Sequence, residues 1–460
     1  MYFYLKSLLA ENIDVFLNAE EEPQTIRINT LKKSYPDLLD KIRTNTNFES
    51  LPFSNIGFTI NDSTKLSQSM DFFKGDFAFQ GASSQIPPIV LNPGPGDRVL
   101  DIAAAPGSKS TQIAAMMQNK GILIVNDASL SRMQALNSNT QKAGMINHCI
   151  YYRPGERLGR LFPEYFDKVL VDTPCTGLGT LANHREILSW WNTAKLQKLN
   201  YMQHQLLVSA IKSAKVGAEI VYSTCSIAPE ENELVLDNVI KKYPVEMEPF
   251  DIPGLGNLDE GMTLYKNQKL HPSLRNTRRV WPHKHGMEGF FIARLRKTSK
   301  YVNSIPLITE NIETINSQDE TLRNILARIS DDWGIENGFW DSYNYIKTSD
   351  RVWLFNNQVN TIVKEGFTNG GLLLADEKLQ LWKLSHQAIR FLGKLIKKRR
   401  ISLPEDDLYK IFATNECPNR DGLNGYYALE LKGEPSAVIY AHEDKIRIKL
   451  GQVFNYNYRL

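Results

Sequence analysis

RVLDIAAAPGSKSTQIAAMMQNKGILIVND, residues 98–127, decides the fold. An apolar run ends at Asp101, a turn of small residues follows, an amphipathic stretch runs up to Gly121, and a second apolar run ends at Asp127. Strand, turn, helix, strand is the unit from which parallel sheets are built. A helix that opens after such a turn presents free N–H groups and a positive dipole end. Ala103, Ala104 and Ala105 keep side chains out of the way, Pro106 and Gly107 shape the turn, and Ser108 and Lys109 open the helix. Asp127, 20 residues beyond Gly107, stands where an acid accepts hydrogen bonds from ribose hydroxyls in dinucleotide folds. The turn is neither G-x-G-x-x-G nor G-x-x-x-x-G-K-[ST], which disfavours a nicotinamide dehydrogenase and an NTPase phosphate loop.

The pattern continues outward. HCIYY (148–152), FDKVLVD (166–172), AEIVYSTC (218–225) and GFFIARLRK (289–297) read as further strands. Ser129 is expected to cap the helix before Gly144, and Gly217 to stop the helix of residues 194–214. The expected architecture is an α/β, doubly wound, Rossmann-like sheet over 76–297. It is flanked by an N-terminal α+β accessory or RNA-binding domain (1–75), a polar linker (298–330) and a smaller β-rich domain (331–460).

Composition narrows the class. The 460 residues are 42% hydrophobic and 23% charged, which excludes a mostly disordered chain. Lys+Arg 54 against Asp+Glu 51 leaves +3, so any nucleic-acid signal must be local. No apolar run approaches the roughly 18 residues of a membrane span, and the start lacks the features of a signal peptide; a cytoplasmic protein with no membrane partner is expected. The four cysteines form no C-x-x-C pair, so no metal site is expected.

Two of those cysteines carry the chemistry. DTPCTG (172–177) follows the fourth strand and YSTCS (222–226) ends the fifth. Strand ends of a doubly wound sheet face the ligand crevice, so Cys175, Cys225 and Asp172 are expected at one rim. A thiolate adding to carbon 6 of a pyrimidine makes carbon 5 nucleophilic, an acid at N3 stabilises the developing charge, and an electrophilic methyl group can then be attacked. Neither motif holds a histidine, which argues against a cysteine–histidine dyad; His184 is read as a surface or RNA-contacting residue. Chemistry alone leaves open which cysteine is the nucleophile.

DIAAAPGSKSTQ, VDTPCTG and VYSTCS, together with RINTLK (27–32) and EGFFIARLRK (288–297), resemble the Sun-domain family of RNA cytosine-5 methyltransferases in order and spacing. The tail, with RVWLFNN (351–357), resembles its bacterial RsmF-type branch, which modifies 16S ribosomal RNA. The resemblance implies S-adenosylmethionine held by Ala103–Lys109 and Asp127, with Asp172 bordering cofactor and target base. It also implies Cys225 as nucleophile and Cys175 as the residue assisting release of methylated RNA. The implied partner is RNA, 16S or the assembled small subunit, bound by a monomer with a PUA-like tail. Three departures from the family pattern stand out: Pro154 where an acid is usual, Gly81 in place of an acid in QGASS, and DTPCTG for D-A-P-C-S-G. Rival readings are a transfer-RNA enzyme and a non-catalytic ribosome-assembly factor. RNTRRVWPHKH (275–285), the basic helix end KLIKKRR (394–400), and Lys445, Arg447 and Lys449 are candidate RNA contacts.

Overall fold

The computed structural model describes residues 1–449 apart from 33, 45–47, 62, 257, 302–306, 308 and 379–380. Part of the expected linker therefore lies outside the described residues. The central sheet contains, in spatial order, His148–Tyr152, Ile122–Asp127, Arg98–Asp101, Phe166–Asp172, Ala214–Thr224 and Phe290–Lys297. The first five are parallel and the last is antiparallel to Ala214–Thr224. Chain order reverses on either side of Arg98–Asp101, so the ligand crevice opens between the ends of that strand and Phe166–Asp172. All six residues of Ile122–Asp127 are buried, as a parallel strand covered by helices on both faces requires.

Several local readings change. Ser129 sits at the helix N-terminus without capping through its own hydroxyl; Asp127 Oδ1 instead accepts the Ser129 N–H at 2.8 Å. Gly144 is the left-handed stop, as expected. Gly217 is not a helix stop, because the helix Thr193–Ser213 passes directly into a strand at Ala214. The register slips between Phe166 and Lys168, and Gly217 (φ 85°) accommodates that irregular start.

The N-terminal sheet pairs Phe48–Ser50, Gly57–Ile60, Thr25–Ile28 and Phe77–Phe79, so it runs past the boundary expected at residue 75. The first two helices do not join it. Leu5, Leu9, Ile13 and Phe16 pack instead against Leu178, Trp191 and Trp281 of the central unit.

The tail is β-rich, with a four-stranded and a five-stranded sheet. It is also woven into the central unit. Phe367–Gly370 pairs with His148–Tyr152 and extends the central sheet, and Asn311–Glu313, inside the expected linker, pairs with Thr361–Val363. Asn356 Nδ2 donates to the carbonyls of Asn119 and Gly121 at 2.8 and 2.9 Å.

Candidate active site

Asp101 and Asp172 end neighbouring strands, and the loop 103–107 leaves from the first. Gly107 takes a left-handed conformation (φ 103°), and a Cβ there would meet Leu136 Cδ1 at 2.9 Å, so this turn needs glycine. Asp127 ties the loop down: its Oδ2 accepts the Ala105 N–H at 3.1 Å, and Asn139 Nδ2 donates to the Pro106 carbonyl at 2.9 Å. Arg132 reaches over from the next helix to the Ala105 carbonyl.

Asp101 is fully buried. Its Oδ2 accepts from Ser110 Oγ at 2.6 Å, and its Oδ1 has no partner among the described residues. Burial pushes its carboxyl up to about 7, against the Ser110 hydrogen bond; Asp172 adds to the rise. An unpartnered Asp101 oxygen, the Asp127 carboxylate and the backbone of Ala103–Gly107 lie together at the switch point, an acceptor-rich set among small side chains. That set fits the ammonium and ribose hydroxyls of S-adenosylmethionine.

Asp172 is the hub of the opposite wall. Ser223 Oγ donates to its Oδ1 at 2.7 Å, and Lys109 Nζ lies 2.8 Å from its Oδ2. Lys109 also donates to Ser84 Oγ at 2.8 Å and lies 5.4 Å from the centroid of the Phe290 ring. The Lys109 side chain therefore belongs to the carboxylate wall, whereas the sequence had suggested only the cofactor loop.

Cys175 and Cys225 are free and half-buried, and their sulfurs stand 3.1 Å apart. The hydrogen bond to Cys225, and then burial, raise the Cys175 thiol well above its ordinary range, so it stays protonated at neutral pH. A buried polar frame fixes both loops. Glu231 accepts from Thr176 N at 2.8 Å and from Gln203 Nε2 at 3.1 Å, and Gln203 also donates to the Pro174 carbonyl at 2.9 Å. Asn232 bridges Thr224 Oγ1 (2.7 Å) and the Ser226 carbonyl (2.9 Å). Gly179 N–H donates to the Cys225 carbonyl at 2.9 Å, joining one cysteine loop to the other.

Sequence reasoning missed Ser84, Ser223, Gln203, Glu231 and Asn232. Ser84 and Ser223 lie in the quoted QGASS and YSTCS motifs, so a signal was present for them. Glu231 and Asn232 are reached only through the fold.

The expected RNA contacts in 275–285 are partly overturned. Arg279 is buried in a bidentate ion pair with Glu233, and Trp281 is 7% exposed within the core. Lys284 pairs with Asp259, and His184 is exposed beside Glu186. The cations of 394–400 follow the helix rather than end it, since His386–Leu392 stops short of them. On the strand Lys445–Ile448, Ile446 and Ile448 point into the core. Pro154 precedes a single 3-10 turn in which Glu156 is exposed. Among the described residues, no helix is long and apolar enough to cross a membrane, and no group of three or more His, Cys, Asp or Glu could hold a metal ion.

The strand order and the loop at its switch point define a Rossmann-like, class I methyltransferase fold. Residues 88–296 match the family model "16S rRNA methyltransferase RsmB/F". The small-subunit ribosomal RNA methyltransferase F of Shewanella piezotolerans is 31% identical over 85% of this chain and 82% of its own length. The human 28S rRNA (cytosine(4447)-C(5))-methyltransferase is 36% identical over 70% of this chain, which spans only 41% of that relative. A methyltransferase homologue from Pyrococcus horikoshii, 31% identical, superposes with a TM-score of 0.57 over 64% of this chain and 93% of its own. The chain belongs to the RsmB/F family of RNA cytosine-C5 methyltransferases.

Proposed function

We propose that the protein transfers a methyl group from S-adenosylmethionine to carbon 5 of a cytosine in small-subunit ribosomal RNA, through a covalent bond from Cys225 to carbon 6. The observation that carries this reading is the juxtaposition of two free cysteines, 3.1 Å apart, at neighbouring strand ends that also carry a lysine-held Asp172.

The target base must be unstacked to reach this rim. Cys225 sulfur adds to carbon 6 as N3 takes up a proton from solvent, and the Asp172 carboxylate, held by Lys109 and Ser223, accepts the N3–H, so charge does not build on the ring. The cofactor supplies an electrophilic methyl group. A water molecule then takes the proton from carbon 5, its electron pair forms the C5–C6 double bond, the Cys225–C6 bond breaks, and the sulfur leaves as thiolate. Cys175, whose sulfur lies 3.1 Å from that of Cys225, would assist release of the methylated RNA. Ala103–Gly107, Asp101 and Asp127 would hold the cofactor. Small-subunit RNA is favoured because the small-subunit relative matches 85% of this chain, too much to leave out the whole of 331–460, whereas the human 28S relative matches 70%. The setting is cytoplasmic.

Incubation with labelled S-adenosylmethionine and, separately, 16S RNA, small subunits and transfer RNA tests the reading. Label as 5-methylcytosine in 16S RNA or the subunit is expected. Label confined to transfer RNA overturns the substrate, and no label in any sample overturns the activity.

A further inference from the structure

Four cations converge where the N-terminal sheet, the end of the helix Leu130–Ala143 and the tail meet: Lys32, Lys74, Lys142 and Arg390. Lys74 is answered by Asp76, 2.9 Å away and buried. Arg390 donates from Nε to the Ser436 carbonyl at 2.7 Å, with its guanidinium 4.3 Å from the Phe73 ring centroid. Lys142 Nζ sits 3.2 Å from the centroid of the Phe72 ring and has no ion pair among the described residues. The Lys32 ammonium has neither an ion pair nor a hydrogen bond there, although it is half-buried. Burial, reinforced by Arg390, pulls both Lys32 and Lys142 down to about 7. Asp76 is the carboxylate whose charge reaches both lysines, and it is already paired with Lys74, so Lys32 and Lys142 have no ion-pair partner of their own among the described residues.

Two clefts flank these lysines. One, of about 190 Å³, is lined by Lys32, Lys74, Arg390 and Lys394, with Asp37, Asp76 and Glu434 also on its walls, which leaves one cation in excess. The other, of about 160 Å³, carries Phe72, Phe77, Phe79 and Lys142, and reaches Ser108 and Thr111 on the helix after the cofactor loop. A cationic cleft beside an aromatic one matches the alternation of phosphate and base along a single strand. We infer that this junction is a phosphate-binding subsite for the RNA strand, with Lys32 and Lys142 as the phosphate ligands and the aromatic cleft beside them taking an adjacent base. The inference rests on the RNA-methyltransferase reading and adds a path for the strand, with Lys32 at the end of the RINTLK segment.

The test uses the full chain and a fluorescent, unstructured single-stranded RNA oligonucleotide, followed by anisotropy across a salt series. Loss of one phosphate contact should reduce the slope of log K against log salt by about 0.7 in the K32Q/K142Q double variant. Exposed Lys410→Gln should leave it unchanged. A slope unchanged in the double variant overturns the subsite while leaving RNA binding intact; no RNA binding by the wild-type protein overturns both readings. Acylation of the wild-type protein, read by mass spectrometry, keeps the test independent of how the variant folds. The oligonucleotide should shield Lys32 and Lys142. Equal shielding by inorganic phosphate alone would make the cleft a small-anion site and overturn the RNA assignment.

Discussion

Lys109 shows how one side chain can organise both walls of the crevice. It leaves the first turn of the cofactor-loop helix, pairs with Asp172 and reaches Ser84 from the N-terminal side. Removing its charge leaves Asp172 with only the Ser223 hydroxyl. Lys109→Met is expected to lower kcat for methyl transfer on the order of 100-fold, the usual loss of one preorganised charged contact. The melting temperature should also fall, because the largely buried Asp172 loses its charge partner, and single-turnover kinetics with a thermal melt check both. At this scale the sequence exposed Asp172, Cys175 and Cys225, because strand-end polar residues stand out against apolar runs. It did not expose Lys109's partner, since Ser84 and Asp172 are brought together by segments far apart in the chain.

Among elements, the join between the two cysteine loops is closely packed. A Cβ on Gly179 would lie 2.1 Å from the Gly289 carbonyl oxygen and 2.8 Å from that of Cys225, both backbone atoms that cannot swing aside. Gly179→Ala should therefore push the loops apart, costing about 1–3 kcal/mol as overpacking does, and suppress activity by displacing Cys225. Gly338→Ala, where a Cβ meets nothing within 4 Å, is the control. Denaturant unfolding and a methyl-transfer assay read the difference. The parallel strands were legible because burial on both faces makes them continuously apolar. The start of the strand Ala214–Thr224 was not, because Gly217 signals a helix stop and a strand irregularity equally well. The basic run 394–400 misled in the same way: charge alone does not say whether a segment is helical.

Across the whole molecule, the tail completes the central sheet. FTNG (367–370) carries no strand pattern, yet it closes the edge left by His148–Tyr152. Pairing there is dictated by an open edge elsewhere in the chain, which a local reading cannot see. His148 lies at this join, fully buried, with both ring nitrogens unpartnered among the described residues. Burial lowers it from about 6.5 to about 3. The unfolded chain thus binds the proton first, and stability present above about 6.5 is lost as pH falls toward 3, by up to about 1.4 kcal/mol per unit. His148→Leu should flatten this part of the stability–pH curve, measured by denaturant unfolding between those limits; an unchanged acid limb would place the loss at other groups.

The covalent role of Cys225 is the central claim, and trapping the enzyme on its RNA tests it most directly. Cys225→Ala and Cys175→Ala would each be incubated with S-adenosylmethionine and 16S RNA, then run on a denaturing gel. Cys175→Ala is expected to give a denaturation-resistant RNA–protein band, because addition proceeds and release fails. Cys225→Ala should give no such band and no 5-methylcytosine. The reverse pattern, with the adduct on Cys225→Ala, would contradict the account and make Cys175 the nucleophile.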